Sequence, residues 1–219
     1  MAEKTGRRIR GLDAEQRRAE RRELLLDAAL ELFAAHGYLN TSIEQICSTA
    51  YVGTKSFYEV FDSREACYVA LLQRTTERLV AGILETAQGL PDNEDEAVPR
   101  LVAAFAHSLV DDPRVAAVTF GQAGAISAAV ERQRRTNRRW AAGFLETIWQ
   151  RYGGAEMADA DRHGVAIGVV GGLFDLIADW LLDADPGEPA DVERLIDDLT
   201  RFYRVVRRGI SPGAGSGSP

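Results

Sequence analysis

Seven side chains between residues 41 and 64 could do chemistry together: Thr41, Ser42, Thr54, Lys55, Ser56, Tyr58 and Arg64. The chemistry they suit is noncovalent. Hydroxyls and amides at helix starts hold phosphate oxygens, cations neutralise them, and small polar side chains at a helix tip reach base edges. Bond-making chemistry is poorly represented elsewhere in the chain. His36, His107 and His163 have Phe33, Ala104 and Ala160 three residues before them, so the Glu-x-x-His pairs of a bundle-type di-iron centre are absent. No nucleophile elbow or phosphate-cradling glycine loop occurs, and Cys47 and Cys67 lack both zinc spacing and a disulfide framework. The expectation is therefore no catalytic residue, no cofactor and no metal, and a reduced protein.

The stretch Leu24–Phe61 must position those seven residues. Asp13 followed by Gln16 starts a first helix that runs to His36, with Leu25, Ala28, Ala29, Leu32 and Phe33 as its buried stripe and Gly37 as a left-handed stop. Thr41-Ser42-Ile43-Glu44 reads as the capping box of a second helix with Ile43, Ile46 and Cys47 inward. Gly53-Thr54-Lys55-Ser56 opens a third helix without a bulky apolar side chain. Its Phe57, Val60 and Phe61 face inward while Tyr58 points away. Two helices, a tight turn and a short third helix are the layout of a helix-turn-helix DNA reader.

At these residues the chain resembles the TetR family of one-component transcriptional regulators. The resemblance rests on Ala28-Ala29, Leu32-Phe33, Gly37-Tyr38, Thr41-Ser42, Ile43, Ile46, Ala50, Val52, Phe57-Tyr58, Phe61 and Ser63-Arg64-Glu65. It departs at Tyr51, where the family has a turn glycine, at Gly53 for a serine cap, and at Thr54-Lys55 for a polar-glycine pair. A tyrosine in the turn is either left-handed under mild strain or marks a reshaped turn. The resemblance implies phosphate contacts at Thr41, Ser42, Tyr58 and Arg64, and places Thr54 and Lys55 in the groove. Tyr51 and Ser56 complete the expected DNA-facing set, with Arg7, Arg8 and Arg10 of an N-terminal arm.

Net charge is −7, which by itself does not suit nucleic acid, but the charge is uneven. Residues 1–22 hold eight basic side chains against four acidic ones, about +4, leaving about −11 for the remainder. A basic end on an acidic body fits local phosphate contact, and fits a solvated terminus equally well. The N-terminus lacks the apolar stretch of a signal peptide, and Asp175 and Asp179 interrupt the longest apolar run, Val165–Leu182. A buried helix, no membrane span and a cytoplasmic protein are expected.

The whole chain reads as all-α, about nine helices. A disordered basic arm over 1–12 precedes a DNA-binding head over 13–61. A larger ligand-binding and dimerisation domain over 62–208 and a disordered Gly/Ser/Pro-rich tail over 209–219 follow. Helix 5 starts near Glu94 or, because of Pro99, near Val98. Helix 8 is apolar round most of its circumference and should be buried on all sides. Gly164, Gly168 and Gly172 on helix 8, with Leu195, Leu199, Phe202 and Val206 on helix 9, are the expected dimer seam; the resemblance implies that the last two helices bundle with their twins. Packing inside one chain is the alternative.

Helices 4 to 8 are expected to enclose a pocket lined by Phe105, His107, Phe120, Trp140, Phe144, Ile148, Trp149, Phe174 and Asp175. The plainer alternatives are core for the aromatic stripe, surface for His107, and pairing with Arg134, Arg135, Arg138 or Arg139, or exposure, for Asp175 and Asp179. The expected function is a dimeric repressor that binds a near-palindromic operator and is released by a small apolar or amphipathic effector. A helical interaction protein of the same fold that no longer reads DNA is the alternative, and an all-helical enzyme is the remote one.

Overall fold

Each segment whose apolar residues recur at helical spacing is a helix in the structure, a computed structural model that describes residues 14–121, 127–153 and 159–210. Among the described residues the elements are α1 Ala14–His36, α2 Ile43–Thr49, α3 Thr54–Tyr58, α4 Arg64–Gln88, α5 Glu94–Val110, α6 Pro113–Phe120, α7 Ala128–Arg151, α8 Asp159–Trp180 and α9 Pro189–Ile210. The expected arm, with Arg7, Arg8 and Arg10, lies outside the described residues, as do residues 211–219 of the expected tail; Gly209 and Ile210 instead extend α9.

Two compact units form. Among the described residues one comprises 14–74 with 117–121 and 127–131, the other 75–116 with 132–153 and 159–210. The boundary therefore falls inside α4 rather than between residues 61 and 62. The physical reason is that the first half of α4 is part of the head's own core. Cys67, Tyr68, Leu71 and Leu72 are buried, and Tyr68 meets Phe33 and Tyr38 edge-on at 5.1 and 5.4 Å. The Tyr68 hydroxyl donates to the Val118 carbonyl at 2.9 Å, tying the end of α6 into the same unit.

In the first unit α1 buries Leu25, Leu26, Ala28, Ala29, Leu30 and Phe33, a wider stripe than its spacing predicts. Arg74 is buried and bridges α4 to α1 through Glu23 at 3.2 Å and Asp27 at 2.7 Å. Gly37 takes φ +75 and closes α1 by donating its N–H to the Phe33 carbonyl at 3.0 Å.

In the second unit α9 packs on α5 and α8, burying Val192, Leu195, Leu199 and Tyr203 at helical spacing. Helix α5 begins at Glu94 with Asn93 as its cap, so Pro99 sits inside it. Proline has no N–H to give the carbonyl four residues back, that of Asp95. Arg204 of α9 supplies the missing donor at 3.0 Å. That replacement explains why the proline does not delay the helix.

Helix α8 corrects another expectation. The stretch Asp161–Trp180 is long and apolar enough to cross a membrane by length and composition, with mean hydropathy 1.3, yet only 22% of it is buried. Ala166, Val169, Val170 and Ile177 face inward, whereas Gly164, Ile167, Gly168 and Asp175 are exposed. The described residues supply neighbours for one side of the helix.

Candidate nucleic-acid interface

The interface is built on two short helices whose positions are fixed from behind. Helix α2 is capped by Ser42, not Thr41: the Ser42 hydroxyl accepts from the Gln45 N–H at 3.2 Å, and the Gln45 side chain accepts from the Ser42 N–H at 2.7 Å. Thr41 is 1% exposed, and its hydroxyl lies 2.9 Å from the Gly37 carbonyl and 3.2 Å from that of Leu32. Its side chain therefore holds the α1–α2 turn and does not face a phosphate. The realised box lies one residue beyond Thr41–Glu44: both that stretch and Ser42–Gln45 satisfy the pattern, and only burial separates them.

Helix α3 is shorter than expected, ending at Tyr58 rather than near Phe61. Its Gly53 cap has φ −67 and ψ 146, an ordinary extended residue. Phe57 is fully buried and Phe61 nearly so, with ring centroids 5.6 Å apart. Arg22 lies over the Phe61 ring at 5.8 Å, and Arg21 meets Glu59 at 3.5 Å, so α1 braces the end of α3. Anchored in this way, α3 leaves Thr54, Lys55 and Tyr58 exposed and Ser56 half-buried. Tyr58 is 55% exposed.

Arg64 is drawn inward more than the resemblance implies. Its guanidinium stacks on Tyr38 at 4.3 Å and donates to the Thr41 carbonyl. It fixes the start of α4 against the α1–α2 turn. Tyr51 has φ +53 and is 97% exposed. A left-handed non-glycine residue costs on the order of 1–2 kcal/mol. The left-handed alternative for the turn is the one realised.

The two thiols sit behind this surface, free and buried. Burial pushes Cys67 up to about 12. Burial also raises Cys47, offset in part by a hydrogen bond with Thr54. Both stay protonated at neutral pH and are poor nucleophiles. Among the described residues no group of three His, Cys, Asp or Glu side chains could hold a metal.

The expected pocket residues separate into several places. Trp149 and Ile148 are solid core, Trp149 donating its indole N–H to the Tyr203 hydroxyl at 3.0 Å and Ile148 packing with Leu90 and Ala97. His107 is exposed, with Nδ1 2.8 Å from Asp111 one turn along. Asp175 and Asp179 are exposed. Phe120 is half-buried in the first unit. Two aromatic pairs remain half-buried in the second unit: Phe105 with Phe174, edge-on at 5.3 Å, and Trp140 stacked on Phe144 at 5.7 Å. Arg138 lies over the Phe174 ring at 5.7 Å. Of the expected seam, Leu195 and Leu199 belong to the chain's own core, Phe202 and Val206 are half-buried, and Gly172 closes on Phe202 of the same chain.

Residues 25–71 match the model of the bacterial regulatory proteins of the tetR family. Those residues are a TetR-type DNA-binding head. The proteins that model describes are bacterial regulatory proteins. The HTH-type transcriptional activator FasR of Mycolicibacterium smegmatis is 34% identical over 88 residues, 40% of this chain and 40% of that protein. The chain thus matches two-fifths of the length of that relative. Among solved structures, a putative TetR-family regulator from Syntrophomonas wolfei has the same fold, with TM-score 0.70, 17% identity, and coverage of 91% of this chain and 99% of that one. The regulator FadR of Bacillus subtilis, solved in complex with stearoyl-CoA, gives TM-score 0.68 and 17% identity over 82% of this chain and 96% of that one. The all-α fold read from the sequence is the fold of these TetR proteins.

Proposed function

We propose that this protein is a cytoplasmic transcriptional repressor of the TetR type that binds a near-palindromic operator as a dimer and is released by a small apolar or amphipathic effector. The observation that carries the DNA-binding part is α3 itself. Phe57 and Phe61 anchor it, and Thr54, Lys55 and Tyr58 project from it into solvent. Ser42 adds a half-buried hydroxyl at the start of α2, its oxygen accepting from the Gln45 N–H. A dimer follows from the bare face of α8. Gly164, Ile167 and Gly168 are exposed, and a Cβ built at either glycine meets nothing within 4 Å among the described residues outside its own helical backbone. A second copy laid on that face would cover the apolar surface and set two heads on a twofold axis.

Selection of bound duplexes from a random library tests this reading directly. With the selected duplex in hand, Lys55→Ala and Tyr58→Phe are each expected to weaken binding without lowering the thermal midpoint. Loss of a phosphate contact lowers the salt slope by about one unit, whereas loss of a base contact costs about 1–3 kcal/mol of discrimination. Unchanged affinity in both variants would remove α3 from the interface.

The effector half of the proposal rests on the two half-buried aromatic pairs and on Arg138. The stearoyl-CoA of the B. subtilis FadR complex joins a long apolar chain to an anionic head. Rings at Phe105, Phe174, Trp140 and Phe144 with a guanidinium over Phe174 suit that chemistry. Phe174→Ala is expected to weaken acyl-CoA binding about tenfold, followed by tryptophan fluorescence, while leaving the ligand-free protein's duplex affinity intact. Equal acyl-CoA affinity in native and variant protein would move the pocket elsewhere. FasR is called an activator, and that favours activation as the second reading. Transcription from a promoter carrying the selected duplex, measured with and without the protein, separates the two.

A further inference from the structure

Among the described residues Tyr51 is the non-glycine residue with positive φ; the others in that region are Gly37 and Gly153. Its backbone is held there by its neighbours. The Tyr51 N–H donates to the Ser48 carbonyl at 3.2 Å, and the Val52 N–H donates to the Cys47 carbonyl at 2.9 Å. Glycine would occupy the position without strain. Nor does the side chain offset the strain by packing, because it is 97% exposed. A strained backbone that carries an uncovered aromatic ring, three residues before Thr54, gains nothing from its own chain.

We infer that the Tyr51 ring is a specificity-determining contact to duplex DNA, reading the 5-methyl edge of a T·A pair in the major groove. This rests on the reading of α2 and α3 as the duplex-binding element. A phosphate contact is within reach of any flexible lysine or arginine on ordinary backbone. A ring with two torsions instead offers a large rigid apolar face at low entropic cost. The thymine methyl is the apolar group displayed in the major groove. The turn fixes the Cα–Cβ direction of Tyr51, and a fixed direction is what discrimination between bases needs.

The test uses the full-length protein and the duplex it selects from a random library. Tyr51→Gly is expected to melt no lower than the native protein, to bind the selected duplex about tenfold more weakly, and to lose preference at one or two T·A pairs. Replacing thymine by uracil at those positions removes only the methyl group. It is expected to weaken native binding by a similar factor and to leave Tyr51→Gly unaffected. Tyr51→Phe, which keeps the ring, is expected to retain the preference. Identical affinity and base preference in native and Tyr51→Gly proteins would overturn the inference. So would loss of preference in Tyr51→Phe, which would assign the contact to the hydroxyl, and so would indifference of the native protein to uracil. If the native protein selects no duplex at all, the failure belongs to the DNA-binding reading itself.

Discussion

Gly168→Leu is expected to leave each chain folded and to abolish tight operator binding, whereas Gly172→Leu is expected to destabilise the chain itself. The two glycines are one helical turn apart on α8 and differ in what lies beyond them. A Cβ at Gly172 would stand 2.6 Å from Cζ of Phe202, so a leucine there must unseat the ring by which α9 docks on α8. Overpacking of this kind costs about 1–3 kcal/mol. At Gly168 no described residue outside the helix's own backbone lies within 4 Å of such a Cβ, so in the proposed dimer a leucine meets resistance only from the second copy. Losing the dimer removes the second half-site contact. Bivalency of this sort contributes on the order of 10²–10⁴ in apparent affinity. Sedimentation velocity, the thermal midpoint and binding to a full operator against a single half-site would be compared. A Gly168→Leu protein that remains dimeric would place the association face away from α8. Phe202→Asp, which the sequence pattern offers as a dimer-breaking change, is expected to act first on the monomer through the same α8–α9 contact.

Arg207→Leu is expected to cost about 3 kcal/mol of folding stability, near the lower end of what removing one partner of a buried ion pair does. Arg207 is buried and donates from Nε to Glu94 at 2.8 Å and from a terminal nitrogen to the Gly153 carbonyl at 2.9 Å. The Tyr203 hydroxyl donates to the same Glu94 oxygen at 2.9 Å and accepts from Trp149 at 3.0 Å. Burial and the adjacent Glu94 carboxylate push the Tyr203 phenol well above its usual range, so it stays a proton donor throughout the working pH range. The group joins the start of α5, the end of α7 and the last turns of α9. Without Arg207 the part-buried Glu94 carboxylate keeps the neutral Tyr203 hydroxyl as donor. Adding Glu94→Gln to Arg207→Leu is therefore expected to recover part of the loss, since no bare charge remains. Urea unfolding of the three proteins gives the comparison. A change under about 1 kcal/mol in Arg207→Leu would show that water reaches Glu94 and satisfies it.

The sequence by itself determined where the helices lie and, for an amphipathic helix such as α9, the face it buries, because an amphipathic stripe and its end signals are local properties. Gly37, Asn93, the Phe57–Phe61 pair and the inward face of α9 are all readable in that way. It also determined which of the α3 residues stay outside, since anchoring two aromatics one turn apart fixes the orientation of the rest. Only the tertiary structure decided between the two overlapping capping boxes at Thr41 and Ser42, because both satisfy the spacing and burial alone selects one. Only it showed that Arg204 repairs the carbonyl freed by Pro99, and that Arg207 meets Glu94. Those partners are over a hundred residues apart, and no periodicity links them. Helix α8 marks the limit most clearly. Its composition signals an apolar surroundings on every side, but composition does not say whether those surroundings belong to the same chain. The fold supplies neighbours to Ala166, Val169, Val170 and Ile177 and leaves Gly164, Ile167 and Gly168 bare, because the contacts that cover a helix are set by what packs across it and not by its own residues.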